Sequence, residues 1–113
     1  PILLPELLPT AFVCNCDRVA FQLVKRLNER GLHVPEDISV VGFDNDLHAT
    51  LCEPPLTTME VNVAEMAERA VESLLKKMQK PRFHFGRILV KGKIIENQSV
   101  RSFGKGHISL GGI

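Results

Sequence analysis

Two short apolar runs in the sequence each end abruptly in polar residues. Ala11 to Asn15 is entered from Pro9-Thr10 and leads to Asp17; Ile38 to Phe43, with Ser39 and Gly42 as its only small residues, leads to Asp44-Asn45-Asp46. Neither run alternates apolar with polar. A strand buried in a parallel sheet reads this way, because helices cover both its faces and ligands collect beyond its carboxyl end. Between the runs the period turns helical. Ala20, Leu23, Val24 and Leu27 form one stripe, while Arg18, Lys25, Arg26, Glu29 and Arg30 lie off it. Asp17 is placed to cap this helix and Gly31 to end it in the left-handed conformation. Strand, helix and strand make a βαβ unit, whose crossover is expected to be right-handed.

Phe21 falls beside Arg18 and Lys25, off the core stripe, so it is covered either by neighbouring loops or by a second subunit. Leu47 to Glu53 has no clear period and reads as a loop with a helical turn. Pro54-Pro55 forces an extended path into Leu56-Thr57-Thr58-Met59. From Asn62 the helical pattern is clearest. Asn62 and Glu65 suit a capping box. Val63, Met66, Ala67, Ala70, Val71, Leu74 and Met78 make one continuous apolar face, and Glu65/Arg69 and Glu72/Lys76 are spaced to pair across single turns. Pro81 stops the helix and Arg82 to Gly86 reads as a linker. Arg87 to Lys91 and Lys93 to Glu96 flank Gly92, as a hairpin or as one strand bulged at the glycine, and Asn97 to Val100 continues extended. The glycine-rich residues 104 to 113 read as a loosely ordered tail.

Composition narrows the classes. A chain of 113 residues makes one small domain with a modest core; 44% hydrophobic and 24% charged residues are ordinary for a globular protein. No apolar run approaches the roughly 20 residues that span a bilayer. A net charge of +1 gives no broad positive field, so nothing electrostatic supports nucleic-acid binding by this segment itself. The three cysteines are odd in number, and Cys14 and Cys16 point to one face of a strand. Reduced thiols in a cytoplasmic protein fit better than a disulfide. Residues 1 to 9 carry three prolines and no signal-peptide pattern, and read as the tail of a preceding element.

The acids at the end of the Ile38 run are the first candidates for chemistry, with a hydroxyl-binding carboxylate, a phosphoacceptor, a metal site and plain loop solvation as rival readings. A phosphoacceptor Asp44 needs further acids to hold magnesium and a neutralising lysine, and Asp17 is the only nearby acid. Cys14 and Cys16 with His33, His48, His84 or His107 lack the spacing of a zinc site. No glycine loop cradles a phosphate, no cofactor is implied, and no nucleophile–base pair points to an enzyme.

Three segments in order carry a resemblance: Pro9-Thr10-Ala11-Phe12-Val13-Cys14-Asn15-Cys16-Asp17-Arg18-Val19-Ala20; Arg30-Gly31-Leu32-His33-Val34-Pro35-Glu36-Asp37-Ile38-Ser39-Val40-Val41-Gly42-Phe43-Asp44-Asn45; and Pro54-Pro55-Leu56-Thr57-Thr58. From Pro9 to about Arg101 the chain resembles the C-terminal part of a LacI/GalR-family transcription regulator. The resemblance implies an α/β, parallel-sheet fold of periplasmic-binding-protein-like type I, here partial. Residues 1–103 would hold pieces of both lobes of the sensor, with most of the N-terminal lobe and the helix-turn-helix lying outside the chain. It implies that Asp44 binds hydroxyls of a sugar or related effector in the cleft between lobes, helped by Asn45, with Val63 lining the cleft. The position before the helix-opening Asp usually offers an Asn to the effector; here it is Cys16, a departure that suggests an altered preference. Phe21, Leu51 and Cys52 match positions at the family's homodimer interface. Operator DNA would be met only through the N-terminal domain, and some relatives use a phosphocarrier protein as corepressor. The rival from another class is an extracytoplasmic solute-binding protein of a sugar transporter, with a receiver-like phosphoacceptor domain third.

Overall fold

In the computed structural model residues 2–102 are described, as seven elements: β1 (Ala11–Val13), α1 (Asp17–Glu29), β2 (Ser39–Val41), α2 (Leu47–Leu51), β3 (Thr58–Glu60), α3 (Val63–Gln79) and β4 (Lys93–Ile95). The expected tail at 104–113 lies outside the described residues. β1 and β2 pair in parallel, Phe12 opposite Val40, and α1 connects them. β3 pairs antiparallel with β4, Met59 opposite Ile94. Two parallel bridges, Val41 to Thr57 and Asp44 to Glu60, lay the start of β3 beside the end of β2 and join the two sheets.

The core lies between α1 and the β1–β2 sheet. The expected stripe Ala20, Leu23, Val24 and Leu27 is buried there with Val34, Ile38, Val40, Ala49, Cys52 and Leu56. Filling it with side chains such as Leu27 and Leu56 stabilises by about 1.5–3 kcal/mol each. Gly31 closes α1 as its pattern predicts, at φ +74°. The Gly31 N–H donates to the Asn28 carbonyl (2.9 Å) and the Leu32 N–H to the Leu27 carbonyl (3.0 Å), a Schellman motif whose Leu32 folds back onto the core.

Several expectations change. Both strands are three residues long, and β1 is not buried: Phe12 faces the core, but Ala11 is exposed and Val13 is 84% exposed. Among the described residues, helix covers one face of this sheet, not two. The helical turn expected within Leu47 to Glu53 is the short helix Leu47–Leu51, capped by Asp46, whose carboxylate accepts the His48 N–H at 2.7 Å. Residues 87–91 form neither the hairpin nor the bulged strand. β4 pairs with β3 instead, and Gly92 lies so close that a Cβ there would sit 2.8 Å from the Met59 sulfur. Asn97–Val100 extends without a strand of its own and lays Ser99 against β2. There the Ser99 carbonyl accepts the Val40 N–H (2.9 Å), and its hydroxyl accepts the Thr57 N–H (2.8 Å) and donates to the Val40 carbonyl.

α3 starts as predicted. The Asn62 side chain accepts the Glu65 N–H at 3.1 Å, and its amide donates to the Glu65 carboxylate at 3.2 Å. Asn62→Ala should destabilise the protein by about 1 kcal/mol in urea unfolding, whereas Asn62→Asp, which keeps the acceptor, should leave the midpoint nearly unchanged. The Glu65/Arg69 and Glu72/Lys76 pairs do not form; Arg69 meets Glu72 at 3.6 Å, one turn in the other sense. Among the described residues none covers the apolar face of α3 fully, and no residue of the helix is buried.

Candidate functional site

The carboxyl end of β2 is where the polar residues gather. Gly42 is buried, Phe43 is 41% exposed and Asp44 is exposed. The turn that follows needs an unusual backbone. Asp44 has φ +107° and Asn45 φ +57°, a region that side-chain-bearing residues adopt at a cost of order 1–3 kcal/mol each. Both Asp and Asn are among the residues that tolerate it best. Such strain persists only where the surroundings over-determine it.

They do so here. Reading along the turn, the Phe43 carbonyl accepts the Asp17 N–H (2.8 Å), and the Asp44 N–H donates to the Met59 carbonyl (2.9 Å). The Asn45 N–H donates to the Thr58 hydroxyl (3.3 Å), and the Asp46 N–H to the Asp17 carboxylate (2.8 Å). The same Thr58 hydroxyl donates to the other Asp17 oxygen at 2.6 Å. Asp17 is fully buried and is not the cap of α1; Cys16 holds that position without a capping side chain. The Asp17 carboxylate reaches across to the turn and to β3 instead. It also sets the residue at 42, because a Cβ on Gly42 would collide with that carboxylate.

The result is an exposed polar group held in one geometry. Asp44 sits opposite Glu60 in a parallel bridge, and the Asn45 amide donates to the Glu60 carboxylate at 2.8 Å. Two carboxylates and an amide at a strand end make an acceptor-rich surface suited to ligand hydroxyls, which donate charge-assisted hydrogen bonds. Sequence reasoning missed Glu60, whose partnership depends on the register between β2 and β3. Thr58 lay inside a quoted motif, but its part in holding the turn was not legible. Of the other expected site residues, Cys16 is half-buried at the start of α1 and Val63, 69% exposed, is the first residue of α3.

The expected interface residues Phe21, Leu51 and Cys52 line one groove with Val24, beside α1 and after α2. Phe21 is half-buried, packed edge-on against His48 with ring centroids 5.8 Å apart, and Leu51 is 60% exposed. Cys52 is 3% exposed and already packed in the core of this chain.

All three cysteines are free thiols. Burial pushes the Cys14 thiol up, with the nearby Cys16 adding to the shift. Burial likewise raises Cys52, to about 11 from an ordinary 9.0. Cys52 should therefore react with iodoacetamide at pH 8 at least tenfold more slowly than an unfolded cysteine peptide, since the thiolate is the nucleophile; equal rates would contradict its placement. The sign of the linkage also follows. The unfolded thiol releases its proton near pH 9 and the folded one near 11, so this contribution to stability is intact below pH 9 and is lost as pH rises towards 11.

A family model for the periplasmic binding protein-like domain matches residues 2–100. The chain is 38% identical over 95 residues to the transcriptional repressor PurR of Vibrio atlanticus (strain LGP32), covering 83% of this chain and 28% of that protein. Among solved structures it is similar to the lac repressor dimer bound to operator and the anti-inducer ONPF, at 28% identity and TM-score 0.74, over 83% of this chain and 32% of that one. It is equally similar to a LacI family transcriptional regulator from Enterococcus faecalis V583 with bound ribose, at 28% identity and TM-score 0.74, over 84% and 36%. The chain thus spans roughly a third or less of the length of these relatives. It belongs to the periplasmic-binding-protein-like family, and the relatives it resembles are LacI-type transcription regulators.

Proposed function

We propose that this chain supplies one wall of the effector site of a LacI-type regulator, with Asp44 as the principal ligand to a hydroxyl-bearing effector, a sugar or a close derivative. The observation that supports this most is the Asp44–Asn45 turn, where an exposed carboxylate is held at φ +107° by hydrogen bonds from two other elements. Asn45 and Glu60 extend the acceptor surface, and Val63 lines its far side. Cys16, where an Asn is usual, removes one polar contact and shifts preference towards effectors with an apolar or less hydroxylated edge.

Effector binding would favour closure of two lobes and so reposition DNA-binding heads carried elsewhere, a coupling of two sites through one equilibrium. α3 and the segment at 85–90 belong in this reading to the second lobe. Val63, Leu74, Met78 and Leu89 are 59–77% exposed here, and a groove of about 590 Å³ lies between α3 and that segment. Phe21 and Leu51, beside the buried Cys52, are the proposed contacts of a homodimer. In the cell the protein would act in the cytoplasm on operator DNA through its N-terminal domain, with a phosphocarrier corepressor as a further partner to test. The regulators among its relatives favour this over a transport-linked solute-binding role.

The test is a thermal-shift screen with ribose, arabinose, sucrose, cellobiose and their phosphates on the regulator containing this chain, followed by calorimetry of the best. Stabilisation by at least one sugar supports the reading. A flat panel, together with tight binding of a ligand that lacks hydroxyls, would sink it.

A further inference from the structure

We infer that Asp17 is a positioning residue for the effector turn: a buried carboxylate that touches no ligand and sets the backbone conformation from which Asp44 and Asn45 are presented. The inference takes its functional meaning from the reading of Asp44 above, but its structural content stands apart from it.

A carboxylate at 0% exposure is costly unless its oxygens are satisfied, and Asp17 satisfies them with two donors from different elements, the Thr58 hydroxyl on β3 and the Asp46 N–H after β2. A residue whose only task was to start α1 would turn its carboxylate to the helix's own free N–H groups. This one does not. Its bonds bracket the turn instead, with its N–H on the Phe43 carbonyl and its carboxylate on the Asp46 N–H. The two residues between are those with positive φ, and the Asn45 N–H is held by the Thr58 hydroxyl that Asp17 itself orients. Gly42 leaves the space the carboxylate occupies. Three segments of the chain thus meet at one side chain, and the strained pair is what they enclose.

Thr58 carries the second half of the inference. Its hydroxyl accepts from the turn and donates to Asp17, so one side chain of β3, the strand leading towards α3, links the effector turn to α1. A shift of β3 relative to α1 would change the restraint on Asn45 directly.

Amide hydrogen exchange resolved by residue, on the wild type and on Asp17→Asn, Asp17→Ala, Thr58→Val and Thr58→Ser, tests this. Asp17→Asn keeps the volume and one of the two acceptor oxygens. The expected result is exchange at least threefold faster at Asn45 and Asp46, with Leu27 and Val40 unchanged, and an altered HN–Hα coupling at Asp44 and Asn45. Asp17→Ala should raise the effect above tenfold; if it does not fold, Asp17→Asn decides. Thr58→Val should speed exchange at Asn45, and Thr58→Ser, which keeps the hydroxyl, should behave as wild type. Wild-type exchange at Asn45 and Asp46 in Asp17→Asn would overturn the inference. So would a loss of protection in equal proportion at Leu27 and Val40, since that is the signature of a general stabilising role. None of these readouts requires an effector, so failure of Asp44 as a ligand would show separately.

Discussion

Asp44→Asn is expected to weaken binding of the best sugar in the panel by about 30- to 100-fold, or about 2–2.7 kcal/mol. The substitution removes a charge and little else. Asparagine has the shape of aspartate and shares its tolerance of positive φ, so the turn at φ +107° should survive the change. The Asp44 N–H bond to Met59 is made by the backbone and is untouched. What disappears is a carboxylate able to accept two hydroxyl donors at once, where hydrogen bonds to a charged acceptor are worth about 1.5–3 kcal/mol. Because Asp44 is exposed, the urea midpoint should move little. Calorimetry returning an affinity within threefold of wild type would mean that the hydroxyls bind elsewhere. Asp44→Ala adds a backbone cost at positive φ and is the less clean probe.

Gly42→Ala should cost about 3 kcal/mol of stability, read as a lowered urea midpoint and a melting temperature down by about 12–24 °C. The reason is local. The new methyl group would occupy the space of the Asp17 carboxylate, which is pinned by Thr58 and Asp46 and has no exposed direction in which to retreat. Overpacking alone gives about 1–3 kcal/mol, and displacing a buried carboxylate from its donors adds to it. A cycle identifies the cause. If the collision is with Asp17, Gly42→Ala should cost markedly less in a protein already carrying Asp17→Ala, a non-additivity expected of residues in contact. A midpoint within 0.5 kcal/mol of wild type for the single variant would show that the carboxylate has somewhere to go.

How far the sequence carried these conclusions differs by element. The α1 stripe was legible because its period is fixed by helix geometry, and so were its glycine stop and the Asn62 cap, which depend on neighbours three or four residues away. The β2 end was legible as a site because an apolar run broke into acids. Burial of β1 is over-read: Val13 is as apolar as a core residue, yet nothing among the described residues covers it. The partners of α3 are similarly invisible to its own pattern, which shows that a face is apolar but not what lies against it. Asp17 was assigned to its own helix because local capping is the commoner use of an acid at that position. Its actual partners lie 29 and 41 residues away, and no short-range spacing reports them. Glu60 was missed for the same reason, through a register between strands that the sequence does not encode in one place.

Ser99 gives the chain a consequence for the order of its own assembly. Its hydroxyl and carbonyl both bond Val40, across a separation of 59 residues that contains α2, β3, α3 and β4. Closing so long a loop costs entropy of roughly 3–4 kcal/mol before the bond returns anything. The β1–α1–β2 unit, by contrast, is made from neighbours in sequence. The segment around Ser99 is therefore expected to fasten late, as a clasp over the β1–α1–β2 unit. A protease cutting between Ile95 and Asn97 would release that clasp and strip Val40 of its partner on the far edge of β2, where Gly42 would stay bonded to Thr57, while the first βαβ unit kept its pairing.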